Sequence, residues 1–150
     1  MNKDTIEKEL LVAAPQQTSF EVFTNGINNW WPSSHHIGAA PMKELIIEPF
    51  VNGRWYSTHE DGSEANVGNV KVWQPYERLV LSWNVNEAFQ YDPNLDTEVE
   101  VLFIAEGDNN TLIKFTHRGL SKFSQHKTFE EMDGGWGMIL DLFKANIQKQ

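Results

Sequence analysis

The chain has no cysteine in its 150 residues, which excludes disulfides, thiolate metal ligands and a thiol nucleophile and predicts a reducing, cytoplasmic setting. It is also poor in positive charge: 12 Lys and Arg stand against 21 Asp and Glu, a formal net charge of -9. A field of that sign repels phosphate backbones and anionic lipid, so neither nucleic acid nor a membrane is expected as a partner. No stretch approaches the ~20 apolar residues of a membrane span. The opening MNKDTIEKEL is charged and lacks the apolar run of a secretory signal. A Gly-x-Ser-x-Gly elbow, a phosphate loop and a dinucleotide fingerprint are likewise missing, so nucleophilic, nucleotide and nicotinamide chemistry lack support and no cofactor is expected.

What the chain does have is aromatic side chains, with six tryptophans and nine phenylalanines. Each buried aromatic removes on the order of 150–250 Å² from water, so this area must fill a core or line a pocket. No repeat, low-complexity run or Pro/Ser/Gly linker interrupts the sequence, and residues 1–150 are expected to form one domain.

Ile6, Lys8, Leu10 and Val12 alternate with Glu7, Glu9 and Leu11, the period of a half-buried strand. Ala14-Pro15 ends it, and Pro15 suits the first turn of a helix in which Phe20, Phe23 and Ile27 share a face. Asn25-Gly26 closes that helix, and Trp30-Trp31-Pro32 follows in a short second turn or loop. From Lys43 to Phe115 the pattern is strand and turn throughout. Leu45–Ile47 ends at Pro49, Arg54–Glu60 at Asp61-Gly62, and Val67–Gln74 at Pro75. Leu79–Trp83, Val99–Phe103 and Leu112–His117 follow, the last two joined across Gly107-Asp108-Asn109-Asn110. Connections this short imply an antiparallel meander.

The last segment changes period. Trp136, Ile139, Leu140, Phe143 and Ile147 fall on one helical stripe, and Phe129 and Met132 extend it upstream. Gly134, Gly135 and Gly137 interrupt it, each at a cost of about 1 kcal/mol relative to alanine. Close approach of the helix to the sheet, room for a ligand beside Trp136, or a break between two shorter helices would each account for them.

Gly53-Arg54-Trp55-Tyr56, Asp61-Gly62-Ser63, Gly68-Asn69-Val70, the run from Trp73 to Trp83, Thr116-His117-Arg118-Gly119-Leu120, and Gly135-Trp136 with Leu140 together resemble the activator-of-heat-shock-protein-90-ATPase-like branch of the START-like superfamily. The resemblance covers essentially the whole chain. It implies an α+β helix-grip fold, with a curved antiparallel sheet of six or seven strands around a long C-terminal helix and two short helices after the first strand. The superfamily includes lipid and hormone carriers, polyketide cyclases and aromatases, and a chaperone co-activator domain, so the fold does not choose among activities.

Several residues could carry chemistry in such a cavity. His117 shares a strand face with Ile113 and Phe115, and a histidine among apolar residues is either a tunable acid or base or a hydrogen-bonded core residue. His59 shares a face with Trp55 and Ser57, while Tyr56 and Arg54 point the other way. His59 or Tyr56 could orient a ligand, or His59 could sit exposed at its hairpin end. His35 and His36 are adjacent, but no ligand partner follows at a recognised spacing, so no metal site is expected. Their loop could instead be a lid carrying Trp30 or Trp31. Trp30, Trp55, Trp73, Trp83, Phe103, Phe115 and Trp136 are candidate cavity walls, each of which could equally be core.

The leading expectation is a binding module for a small hydrophobic or aromatic molecule. One alternative is a cyclase- or dehydratase-type enzyme with His117 or His59 as its acid or base, which requires one of them to reach an open pocket. The other is a chaperone ATPase co-activator that docks its partner through an acidic surface.

Overall fold

A computed structural model describes residues 4–33, 35, 40–86, 90–123 and 126–148. Seven strands make one antiparallel sheet in the order β1-β7-β6-β5-β4-β3-β2: β1 Thr5–Val12, β2 Met42–Ile47, β3 Arg54–His59, β4 Glu64–Gln74, β5 Arg78–Trp83, β6 Thr97–Ala105 and β7 Thr111–Arg118. From β2 to β7 each strand pairs with its sequence neighbour, as short turns require, and β1 then closes on β7. Helix α1, Gln16–Phe23, and a single 3-10 turn at Ile27–Asn29 follow β1, and helix α2, His126–Ile147, ends the chain. This is the helix-grip architecture.

Strict alternation sets which side chains the sheet gives to the helix. Along β6, Thr97, Val99, Val101 and Phe103 are buried, and along β7 Thr111, Ile113, Phe115 and His117 are buried. The register places Val99 opposite His117 and Val101 opposite Phe115, so these rows form one concave floor. The opposite face carries ion pairs: Lys71 with Asp96 and Glu98, and Arg118 with Glu98 and Glu100, the latter also held by Arg78 at 2.8 Å.

The sheet curls at two bulges of β4, one at Val67, opposite the step from Trp55 to Tyr56 on β3, and one at Lys71, between Val70 and Val72. Gly68 lies between them. A Cβ there would stand 1.9 Å from the Ser82 carbonyl oxygen, so only glycine lets β4 pass β5 this closely. The β3–β4 hairpin turns at Asp61-Gly62 and draws β4 back to Glu64, three residues before the apolar alternation at Val67 begins.

Trp136, Ile139, Leu140, Phe143 and Ile147 of α2 are buried in the same core as the concave floor. The helix is continuous through its three glycines, so the two-helix alternative is not realised. Nor does close approach to the sheet account for all of them. A Cβ on Gly137 would come 3.6 Å from the Lys8 ammonium, which reaches over from β1 to pair with Asp133, but a Cβ on Gly134 or Gly135 would meet nothing within 4 Å among the described residues outside its own stretch of helix. No helix among the described residues is long and apolar enough to cross a membrane.

Candidate functional site

A cavity of about 230 Å³ opens between α2 and the end of the sheet where β5 finishes. One wall is a stripe of α2 built from Thr128, Glu131, Met132, Gly135, Trp136 and Ile139. The spacing of three, four, seven, eight and eleven residues from Thr128 is what one face of a helix allows. Opposite stand Trp83 at the end of β5, Val85 and Asn86 just beyond it, Phe123 before α2, and His35. The interior is apolar and aromatic. Its few polar lining groups are Asn86, Thr128 and the exposed Glu131 and His35.

The Trp136 wall is tied from behind to the β5 backbone at Trp83. Trp136 Nε1 donates to His117 Nδ1 at 3.0 Å. An indole N–H can only donate, so Nδ1 is the unprotonated nitrogen and Nε2 carries the hydrogen. Nε2 therefore donates to Thr97 Oγ1 at 2.9 Å, and the Thr97 hydroxyl donates in turn to the Trp83 carbonyl at 2.8 Å. Every donor and acceptor on this path is used. Burial, with the Arg118 guanidinium as a lesser cause, pushes His117 down from 6.5 to about 3, so it stays neutral at physiological pH.

Four tryptophans surround this path in a closed ring of edge-to-face contacts. Trp31 meets Trp55 at 6.0 Å, Trp55 meets Trp83 at 5.5 Å, Trp83 meets Trp136 at 5.4 Å, and Trp136 returns to Trp31 at 5.8 Å. Each ring of such a set limits its neighbours' rotation, and each pair contributes about 0.5–1.5 kcal/mol beyond its buried area.

Of the candidate cavity walls named from the sequence, only Trp83 and Trp136 line the cavity, joined by His35 of the loop read as a lid. His117 is fully buried behind them, and Phe115 and Trp55 back the same walls, Phe115 at 4.6 Å from Trp136. The expectation that His117 reaches an open pocket is corrected: both of its ring nitrogens are engaged inside the core. His59 is neither at the cavity nor exposed. It is 3 % exposed, with Nδ1 2.8 Å from the Ala40 carbonyl and Nε2 2.9 Å from Ser57 Oγ. Tyr56 does not face the interior, because strand alternation turns it outward under the Arg54 guanidinium at 3.9 Å.

Trp30, Trp73 and Phe103 belong to a second aromatic cluster at the α1 end of the core. Phe20 packs on Trp73 at 5.1 Å and on Phe103 at 5.2 Å, while Trp30 packs on Phe23 and Phe143 and donates its N–H to the Val22 carbonyl. Trp31, rather than Trp30, belongs to the cavity cluster. His36 lies outside the described residues, as does much of the loop read as a lid.

The cavity residues that sequence reasoning did not place in a site are Val85, Asn86, Phe123, Thr128, Glu131, Met132 and Ile139, whereas room for a ligand at Gly135 was one of the accounts expected for the glycines. The α2 members were recoverable, since Thr128 and Glu131 run beside the Met132–Trp136–Ile139 stripe at helical spacing. The others come from loops, where no periodicity marks a facing side chain.

A family model described as "Activator of Hsp90 ATPase homolog 1-like protein" matches residues 13–148. Among solved structures, an anthrahydroquino-gamma-pyrone synthase, Txn09, complexed with SUM, is 31% identical; the match covers 98% of this chain and 99% of that one with a TM-score of 0.69. The self-sacrificing resistance protein CalC from Micromonospora echinospora is 27% identical over 99% of this chain and 97% of its own, with a TM-score of 0.75. CalU16 from the same organism shares the fold at 23% identity, over 96% of this chain and 74% of its own, with a TM-score of 0.63. No curated protein matches the chain.

Proposed function

This chain belongs to the activator of Hsp90 ATPase homolog 1-like family, and we propose that it binds a small planar aromatic or hydrophobic molecule in the cavity between α2 and the sheet. One observation carries the reading. The Trp136 indole is fixed from behind by His117, and the Trp83 ring is braced by edge contacts with Trp55, His117 and Trp136, so the aromatic walls are held in place without a ligand. A preformed wall spares the ligand the cost of ordering side chains on binding. The size suits this class too: an apolar cavity of ~150 Å³ accepts benzene, and this one is about 230 Å³ with an open mouth. The 31% identical synthase, whose name describes a fused-ring pyrone, supports the same choice of ligand.

The test is a thermal-shift and native mass-spectrometry screen of the purified chain against fused-ring phenols, isoprenoids and fatty acids. Saturable one-to-one binding of fused-ring compounds is the expected result. Stabilisation by none of them, or by long-chain lipids alone, contradicts the reading.

The same relative supports a second reading, turnover of such a ligand. His117 is unsuited to acid–base work at neutral pH, so proton transfer would fall to Glu131 or His35, the titratable side chains of the lining. Conversion of a phenolic polyketide-type substrate that is lost in Glu131→Gln would establish it; binding without conversion leaves the first reading standing. The family description also names a chaperone ATPase, and turnover of that ATPase with and without this chain measures the surface-borne alternative.

A further inference from the structure

Gly135 is the one cavity-lining residue of α2 that has no side chain. Glycine is, after proline, the least favourable residue in a helix interior, so three within four positions of an unbroken helix call for a compensating gain. Gly137 has a protein neighbour in the Lys8 side chain, and Gly134 faces solvent. Gly135 has neither explanation. A Cβ there would meet, among the described residues and beyond its own helix backbone and chain neighbours, no atom within 4 Å, and the residue sits four positions after Glu131 and four before Ile139, on the stripe that faces the cavity. The open space beside it is therefore the cavity.

We propose that Gly135 is a specificity-determining residue: the missing side chain leaves a flat patch of helix backbone, between Met132 and Trp136, on which the plane of a fused-ring ligand lies. This rests on the binding reading above and adds what sets the accepted ring system. A methyl group at 135 narrows the slot between α2 and Trp83, so it excludes wide planar ligands before compact ones. The helix stability given up at this position is exchanged for ligand space, whereas at Gly134 it is not.

The experiment compares the full chain with Gly135→Ala and Gly134→Ala, using 2-naphthol as a two-ring probe and 1,8-dihydroxyanthraquinone as a three-ring probe. Affinity is read by calorimetry and stability by urea unfolding. Both substitutions should raise the urea midpoint, since alanine is the better helix former and neither Cβ meets an obstacle. Only Gly135→Ala should weaken the three-ring probe, by at least roughly tenfold, the usual effect of one methyl group at a pocket wall. The two-ring probe should bind Gly135→Ala and the parent alike.

Unchanged three-ring affinity in Gly135→Ala, with clear binding by the parent, overturns the role of Gly135 and leaves the binding reading intact. Equal losses in the two variants overturn it as well, because they point to the helix as a whole. A lower urea midpoint in Gly135→Ala does the same by showing that its Cβ is not in open space. No saturable binding of either probe by the parent removes the binding reading and this inference together.

Discussion

Trp136 and His117 are joined by a single hydrogen bond, 3.0 Å from indole nitrogen to imidazole Nδ1, inside a core where both residues are buried. That bond fixes the histidine tautomer and holds the cavity wall, and the burial around it sets how the molecule responds to acid.

Stability should fall on mild acidification because of His117. Unfolding releases it into water, where it titrates near 6.5, while in the fold it stays neutral down to about 3. Between those values the unfolded chain binds a proton that the folded chain does not, so stability is complete above 6.5 and is lost as pH drops. Across the whole window the loss is on the order of 5 kcal/mol. The carboxyls of Asp4 and Glu100, both held below their ordinary values of 3.8 and 4.5, add their own loss only near and below those values. Urea unfolding between about pH 5 and 6.5 therefore excludes these carboxyls, and comparison with a His117 variant assigns the histidine share. His117→Gln, whose amide oxygen can still accept from Trp136, should flatten that part of the profile.

Trp136→Phe keeps an aromatic wall but removes the donor, leaving His117 Nδ1 buried without a partner. The expected cost is about 1–3 kcal/mol. A double-mutant cycle with His117→Leu, which can no longer accept from Trp136, should return a coupling of about 1 kcal/mol, and a coupling near zero would mean that the hydrogen bond contributes nothing to stability.

Gly68→Ala should be among the most damaging single-methyl changes in the chain. The new Cβ would lie 1.9 Å from the Ser82 carbonyl oxygen, which is backbone and cannot swing away, so β4 and β5 must separate. A loss of about 2 kcal/mol or more in urea unfolding is expected. A neutral result would show that the sheet relaxes there freely.

The fold was legible because its elements announce themselves by period: twofold along β1 and from β5 to β7, and helical along α2. Turn residues such as Asp61-Gly62 separate the strands and so imply the antiparallel order. The cavity was legible only in part. Alternation correctly put His117 on the concave face, but could not say that Trp136 would cover it, because that depends on the rotation of α2 against the sheet. The same gap made Trp73 and Phe103 candidate walls. They lie on the correct strands and face inward, but at the α1 end, where Phe20 fills the space a ligand would need. His59 could not be placed, since its burial depends on the Ala40 carbonyl, 19 positions away. Loop contributors such as Asn86 and Phe123 leave no periodic trace.

The most direct test of the cavity as a ligand site is a titration of the six tryptophan indole N–H signals by two-dimensional nuclear magnetic resonance, with 1,8-dihydroxyanthraquinone as the added molecule. Trp83 and Trp136 form the walls, whereas Trp73 packs against Phe20 in the other aromatic cluster and serves as an internal reference. Saturable shifts of the Trp83 and Trp136 signals, with Trp73 unmoved, are the predicted result. Shifts confined to Trp73 and Trp30, or no shift at saturation of the probe's solubility, would contradict it.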